Sequence, residues 1–323
     1  MKALDRKLST INSGSYGPDD FILADASDGD VALGVAVSGP VEGGAFKTRR
    51  AHLEAMEEIV RAGAVDIMLA SAANGEQLAK QGLFADSDVT LAIRANDTTD
   101  IWLPRGASYA SEPSRPFRTA SLERVRPFCD LGLYSATFNN HLERDYATLE
   151  AYARFREDAL RAGFRHFLEV FNPNAPVGLA PEAVPAFVND SIVRALAGAT
   201  SAERPLFLKI AYNGPRALEE LVAHDPSLVV GILGGAAGTT RDTFELLAQA
   251  VRHGARVALF GRKINLAESP LELLALMWRV IRGEVGSAEA VRAYHAALRR
   301  GGLRPQRSLE EDSIVTERAL LQG

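Results

Sequence analysis

The feature that most constrains this chain is an eightfold alternation. From residue 20 to residue 282, short β-forming apolar runs take turns with longer segments of helical apolar spacing. Parallel strands need a crossover, and a crossover helix covers the sheet face, so this alternation predicts βα units around a parallel sheet. The strand-like runs are 20–25 (DFILAD), 65–70 (VDIMLA), 89–95 (VTLAIRA), 130–136 (DLGLYSA), 165–171 (RHFLEVF), 206–212 (LFLKIAY), 228–233 (LVVGIL) and 256–261 (RVALFG). Helical spacing marks 47–62, 74–82, 142–162, 181–198, 215–223, 239–253 and 270–282, with Gly63 and Gly163 ending two of them. Eight strands with their helices predict a (β/α)8 TIM barrel. The rival is an open doubly wound sheet, which calls for a glycine-rich turn after the first strand; Asp25-Ala26-Ser27-Asp28-Gly29-Asp30 is not one.

Around that repeat the chain divides into an N-terminal arm (1–19), the barrel (20–283) and a C-terminal helix and tail (284–323), the extra helix covering 284–299. Two βα loops are long. The first, 26–46, carries glycines at 29, 34, 39, 43 and 44, and the third, 97–128, carries Trp102, Arg105, Arg115 and Arg118. Loops of that length are more often lids or binding loops than plain connections. The polar tail after the extra helix would suit packing on a neighbouring subunit, so a homo-oligomer is expected.

Composition narrows the function. Thirty-six basic against 41 acidic residues leave a net charge of −5, which argues against nucleic acid as a partner and requires any anion site to be local. The single cysteine, Cys129, excludes an intrachain disulfide or thiolate cluster and fits a reducing cytoplasm. The start MKALDRKLSTINSGSYG has no signal-peptide core, and no run is long enough to cross a bilayer, so no membrane association is expected. His52, His141, His166, His224, His253 and His295 lack metal-ligand spacing, so neither a metal nor another cofactor is expected.

The chemistry centres on Lys209, an ammonium set in the apolar run Pro205–Gly214. Strand alternation puts Phe207, Lys209 and Ala211 on one face, which points inward if the sheet closes. A lysine neutralised by burial is a nucleophile toward carbonyls. In barrels the working residues lie at the C-terminal strand ends. Asp25 ends the first strand, Arg94 lies near the end of the third with Asn96 and Asp97 following it, Glu169 and then Asn172 lie near that of the fifth, and Lys209 near that of the sixth. Asp25, Glu169 and Lys209 are therefore expected to share a cavity, either as catalytic groups or as an inert ion pair plugging the barrel. Carboxylates raise the pKa of a nearby lysine and desolvation lowers it, which leaves the form of the free amine open. After strand seven comes Gly234-Gly235-Ala236-Ala237-Gly238-Thr239-Thr240, and after strand eight Gly261-Arg262-Lys263-Ile264-Asn265. Small residues at a helix start followed by a cation pair, in the two loops where this fold builds phosphate sites, predict an anion cradle of Gly234, Gly235, Ala236, Gly238, Gly261, Arg262 and Lys263. Arg94 and Asn172 are further candidate substrate-binding residues.

The K-x-x-Y-x-G of Lys209, Tyr212 and Gly214, the GG-x-x-G of Gly234, Gly235 and Gly238, and the Gly261-Arg262 pair occur in an order that resembles the class I aldolases of the DhnA and archaeal fructose-bisphosphate aldolase type, over roughly 20–282. That resemblance implies a Schiff-base role for Lys209, a match of Asp25 to the family's first-strand aspartate with Asp28-Gly29 as a rival alignment, and phosphate binding by Gly234, Gly235, Gly261 and Arg262. The family often has a proton-transferring tyrosine near strand five; here Glu169, Phe171 and Asn172 stand there. The expectation is a metal-independent aldolase cleaving or forming a carbon–carbon bond in a phosphorylated ketose or related sugar acid, with Glu169 or Asp25 moving protons. The alternatives are a transaldolase or synthase using the same lysine, or a non-catalytic sugar-phosphate sensor.

Overall fold

The computed structural model describes residues 1–41, 44–98, 104–107 and 111–322; Gly43 and Trp102 of the two long loops lie outside them. Eight parallel strands close into a barrel: β1 (Ile22–Ala26), β2 (Ile67–Ala70), β3 (Thr90–Arg94), β4 (Leu131–Thr137), β5 (Arg165–Phe171), β6 (Leu208–Ile210), β7 (Val230–Leu233) and β8 (Val257–Phe260). They run in sequence order, β1 closing on β8 through Ile22↔Val257 to Asp25↔Phe260. Each strand falls on one of the eight apolar runs. The helices do likewise: α1 (Ala3–Asn12) is new, and α2 (Arg49–Arg61), α3 (Ala72–Lys80), α4 (Leu142–Ala162), α5 (Val184–Ala197), α6 (Pro215–His224), α7 (Thr240–Arg252), α8 (Pro270–Ile281) and α9 (Ser287–Arg300) match segments read from the sequence. No helix among the described residues is long and apolar enough to cross a membrane.

The strands are buried on both faces, and two separate apolar clusters show which side chains point where. The outer cluster lies between strands and helices and takes Leu23, Met68, Ile93, Leu168, Leu208 and Ile232. The inner one takes Ile22, Ala24, Ile67, Leu69, Leu131, Leu133, Phe167, Phe207, Val229, Val257 and Leu259. It also takes Leu4 and Leu8 of α1, so the segment expected to be an arm is a helix that plugs the N-terminal end of the barrel. Ion pairs fix it there: Lys7 with Asp66 at 2.8 Å, and Asp5 with Arg165 at 2.6 Å.

At the other end, Phe167 and Phe207 stack at 4.6 Å, and two residues further along the same strands stand Glu169 and Lys209, paired in register. Gly231 is the next partner of Lys209; a β-carbon there would come within 2.7 Å of the Leu208 carbonyl oxygen and of Val257, so only glycine fits beside the lysine.

The third βα loop leaves the barrel by an unusual join. Past Arg94, Asn96 and Asp97 turn away to pair antiparallel with Phe117 and Arg118, and β4 would lose its partner. The Asn96 side chain takes over: its Oδ1 accepts from the Ser135 amide at 2.6 Å and its Nδ2 donates to the Ser135 carbonyl at 2.9 Å. A side-chain amide thus stands in for one peptide of the ladder and keeps these buried backbone groups satisfied.

Candidate active site

Above the stacked phenylalanines the barrel interior turns from apolar to ionic. Lys209 Nζ lies 2.6 Å from Glu169 Oε1, both side chains nearly inaccessible at 6% and 1%. The other oxygen, Glu169 Oε2, accepts from the Ser135 hydroxyl at 2.7 Å, and Arg94 Nη1 donates to that hydroxyl at 3.1 Å. Arg94 Nε donates to Asp28 Oδ2 at 2.5 Å, and its Nη1 lies 3.4 Å from Asp97 Oδ1. Two cations and three carboxylates therefore share a desolvated layer at the C-terminal ends of β1, β3 and β5 and within β6. Buried charge is costly unless paired and hydrogen-bonded, and here each ionic side chain has an opposite charge within 4 Å.

That layer floors a cavity of about 110 Å³, lined on the ionic side by Asp28, Arg94, Glu169, Phe171 and Lys209 and on the other by Gly234, Gly235, Gly261 and Arg262. The lysine and the two glycine loops thus face one space. Arg262 is exposed at its rim and has no hydrogen-bond or ion-pair partner among the described residues.

Not every residue expected at the site is there. Asp25 follows Ala24 and precedes Ala26, both on the inner face, so it projects outward toward the helix layer and does not line the cavity. It is fully buried; Oδ1 accepts from the Ser27 hydroxyl at 3.0 Å, and Oδ2 has no partner. Burial pushes this carboxyl up to about 7. The geometric correction follows from parity: every residue of β1 is buried, so the sequence does not mark its inner face. Asp28, the rival alignment, is the carboxylate that reaches the cavity. Tyr212 likewise faces outward, its hydroxyl donating to Gln249 Oε1 at 2.8 Å. Asn172 is held outside the cavity lining by a reciprocal amide pair with Asn213, at 2.7 and 2.9 Å.

The anion cradle also divides. Lys263 has no accessible side-chain surface; its ammonium lies 2.7 Å from Glu317 and 3.3 Å from the Ala237 carbonyl, turned away from the cavity. The start of α7 is occupied by the chain itself: Thr239 and Asp242 form a capping box, and the Thr240 amide donates to Asp312 at 2.8 Å. Gly238 (φ 62°) backs onto Asp242 and Glu317, and neither it nor Ala236 lines the cavity. Sequence reasoning missed Ser135, for which the inward alternation Leu131, Leu133, Ser135 was the available signal.

Among the described residues no group of three or more His, Cys, Asp or Glu side chains is arranged to hold a metal ion. Cys129 is buried, its thiol pushed up to about 12, and it donates to the Leu91 and Leu131 carbonyls at 3.2 Å.

No protein-family model and no curated protein matches this chain by sequence. Solved structures do match. An archaeal fructose 1,6-bisphosphate aldolase is 16% identical over 87% of this chain and 99% of its own, with a TM-score of 0.62. A fructose-bisphosphate aldolase from Slackia heliotrinireducens is 14% identical over 91% and 90%, with a TM-score of 0.65. A third, an archaeal fructose-1,6-bisphosphate aldolase with its catalytic lysine covalently bound to the carbinolamine intermediate of the substrate, is 18% identical over 87% and 100%, with a TM-score of 0.62. At these identities the likeness is one of fold, and the fold is that of the family the motif order resembles.

Proposed function

We propose that this chain is a Schiff-base carbon–carbon lyase acting on a ketose that carries a distal anion, either a phosphorylated ketose or a related sugar acid. The observation that carries this reading is the Lys209–Glu169 pair, buried at the mouth of a closed barrel and facing the same cavity as the two glycine loops and Arg262. Fold kinship with the fructose-bisphosphate aldolases supports it without deciding it.

The geometry suits each step. Glu169, in hydrogen-bond contact with Lys209, accepts the ammonium proton, and the free amine adds to the substrate ketone. Glu169 returns a proton as the carbinolamine loses water, leaving an iminium ion. The iminium draws in the electron pair of the breaking carbon–carbon bond, so the electron sink is organic and needs no metal. A base must then remove the proton of the departing hydroxyl. Glu169 is placed for this, and Asp28, on the far side of Arg94 and lining the same cavity, is the second carboxylate available. Asp25, facing away, is assigned no part in proton transfer.

Borohydride trapping with candidate ketoses, followed by peptide mass mapping, tests the proposal. A reduced adduct on Lys209 is the expected result; full activity in Lys209→Ala, or adducts only elsewhere, would remove the mechanism. Product analysis with and without an added aldehyde acceptor separates cleavage from transfer.

A further inference from the structure

The loops after β7 and β8 were expected to hold a phosphate, and their charge balance points elsewhere. We infer that the distal anion bound beside Arg262 is singly charged, a carboxylate or a sulfonate rather than a phosphate ester dianion. This rests on the Schiff-base reading of Lys209 given above.

Gly234, Gly235, Gly261 and Arg262 of the expected phosphate cradle face the cavity, but Lys263 and the start of α7 are already engaged by the chain itself. The C-terminal segment after α9 runs back across both loops and brings two carboxylates with it. Glu317 neutralises Lys263, and Asp312 takes the Thr240 amide at the start of α7. A third carboxylate, Asp242 in the first turn of that helix, accepts from the Thr239, Thr316 and Glu317 amides and from the Thr316 hydroxyl. Favourable potential at a helix start comes from its unsatisfied amides and falls off within a turn. Here carboxylates of the chain itself have taken it up.

The charged groups around the two loops are Arg262, Lys263 and Arg307, the last 3.9 Å from Asp312, against Asp242, Asp312, Glu317 and Glu268, with the His295 ring 2.9 Å from Asp312. Within the cavity Lys209 and Arg94 face Glu169 and Asp28. Arg262 is thus the one cation among the described lining residues that no carboxylate engages. A phosphate monoester carries close to two negative charges at neutral pH, and an uncompensated second charge in this surround is repelled. A guanidinium presents a planar fork that meets two oxygens of a monoanion with one unit of charge on each side. The fork meets the oxygens of all three anions alike, so the better match to a carboxylate or sulfonate is one of charge.

Three 2-ketohexoses that differ only at C6, bearing a phosphate ester, a sulfonate or a carboxylate, provide the test. Each is titrated against the intact chain at one mildly alkaline pH, trapped with borohydride, and quantified as adduct on the Lys209 peptide. Half-maximal trapping by the sulfonate and carboxylate is expected at concentrations at least about tenfold below that of the phosphate ester, the equivalent of one paired charge. Glu317→Gln, which leaves the Lys263 ammonium unneutralised, should narrow that gap severalfold. Equal or tighter trapping of the phosphate ester by the wild type overturns the inference and leaves the lysine mechanism standing. An unchanged gap in a folded Glu317→Gln overturns it as well. No Lys209 adduct with any of the three takes down the Schiff-base reading and the inference together.

Discussion

The two ends of the barrel interior are built on opposite principles. The N-terminal end is dry: Leu4 and Leu8 of α1 enter it, and Ile22, Ile67, Leu131, Phe167, Phe207 and Val257 fill the rest. The C-terminal end carries Asp28, Arg94, Glu169 and Lys209 in a layer almost as inaccessible. Burial is common to both, so burial is not what separates structure from function here. What differs is the source of stability. Each fully buried large apolar side chain contributes about 1.5–3 kcal/mol, whereas a buried ion pair often stabilises no more than the hydrophobic pair that could replace it. The dry end can hold the fold together while the ionic end is left available for the proposed chemistry.

Substitutions at each end should break that comparison in different observables. The largest effect is expected from Lys209→Ala, which should lower turnover by at least about 1000-fold and abolish borohydride trapping. A steady-state assay on a variant whose circular dichroism is native checks it. Next comes Phe207→Ala, directly below, which should cost about 3–5 kcal/mol in chemical denaturation through its cavity. The fraction that remains folded should still form the Lys209 adduct. Should Lys209→Ala cost more stability than Phe207→Ala, the division between the two ends fails.

Asp25 gives a pH-dependent test from the outer side of β1. Its folded carboxyl is pushed up to about 7, above the unfolded value, so the native state binds the extra proton and its stability falls as pH rises between the two values. Asp25→Asn should therefore be relatively more stable at high pH. The gap to wild type should widen between about pH 4 and pH 7 at up to about 1.4 kcal/mol per unit, read from denaturant midpoints across that range. The smallest effect is assigned to Ser135→Ala. It leaves Glu169 Oε2 without the hydroxyl's hydrogen bond, at a cost of about 1–3 kcal/mol, and should lower turnover while borohydride still traps an adduct on Lys209. Ser135→Thr should restore turnover if the hydroxyl is what matters.

Much of this was legible in the sequence, for reasons that particular residues make clear. The eight strands and the long helices announce themselves because each is an apolar run of the right length between turn residues. Lys209 and Glu169 could be placed together because both follow a phenylalanine by two positions on neighbouring strands. Asp25 could not be placed, since β1 is apolar on both faces and either parity reads equally well. The helix at Ala3–Asn12 had a signal, Leu4, Leu8 and Ile11 at helical spacing, but one too brief to tell a plug from a loose arm. The fate of Lys263 was beyond local reading: its partner Glu317 lies 54 residues downstream, and only the folded tail brings the two together.

The Asn96 splice has a consequence for how this molecule can change. Because one side-chain amide closes the seam between β3 and β4, the ladder is carried past the point where the excursion begins. The excursion is tied back at its far end as well, where the Thr119 and Ala120 amides donate to the Ala95 carbonyl. The stretch between the short strands at Asp97 and Phe117 should therefore tolerate a change of length while the staves stay aligned, provided the asparagine is kept.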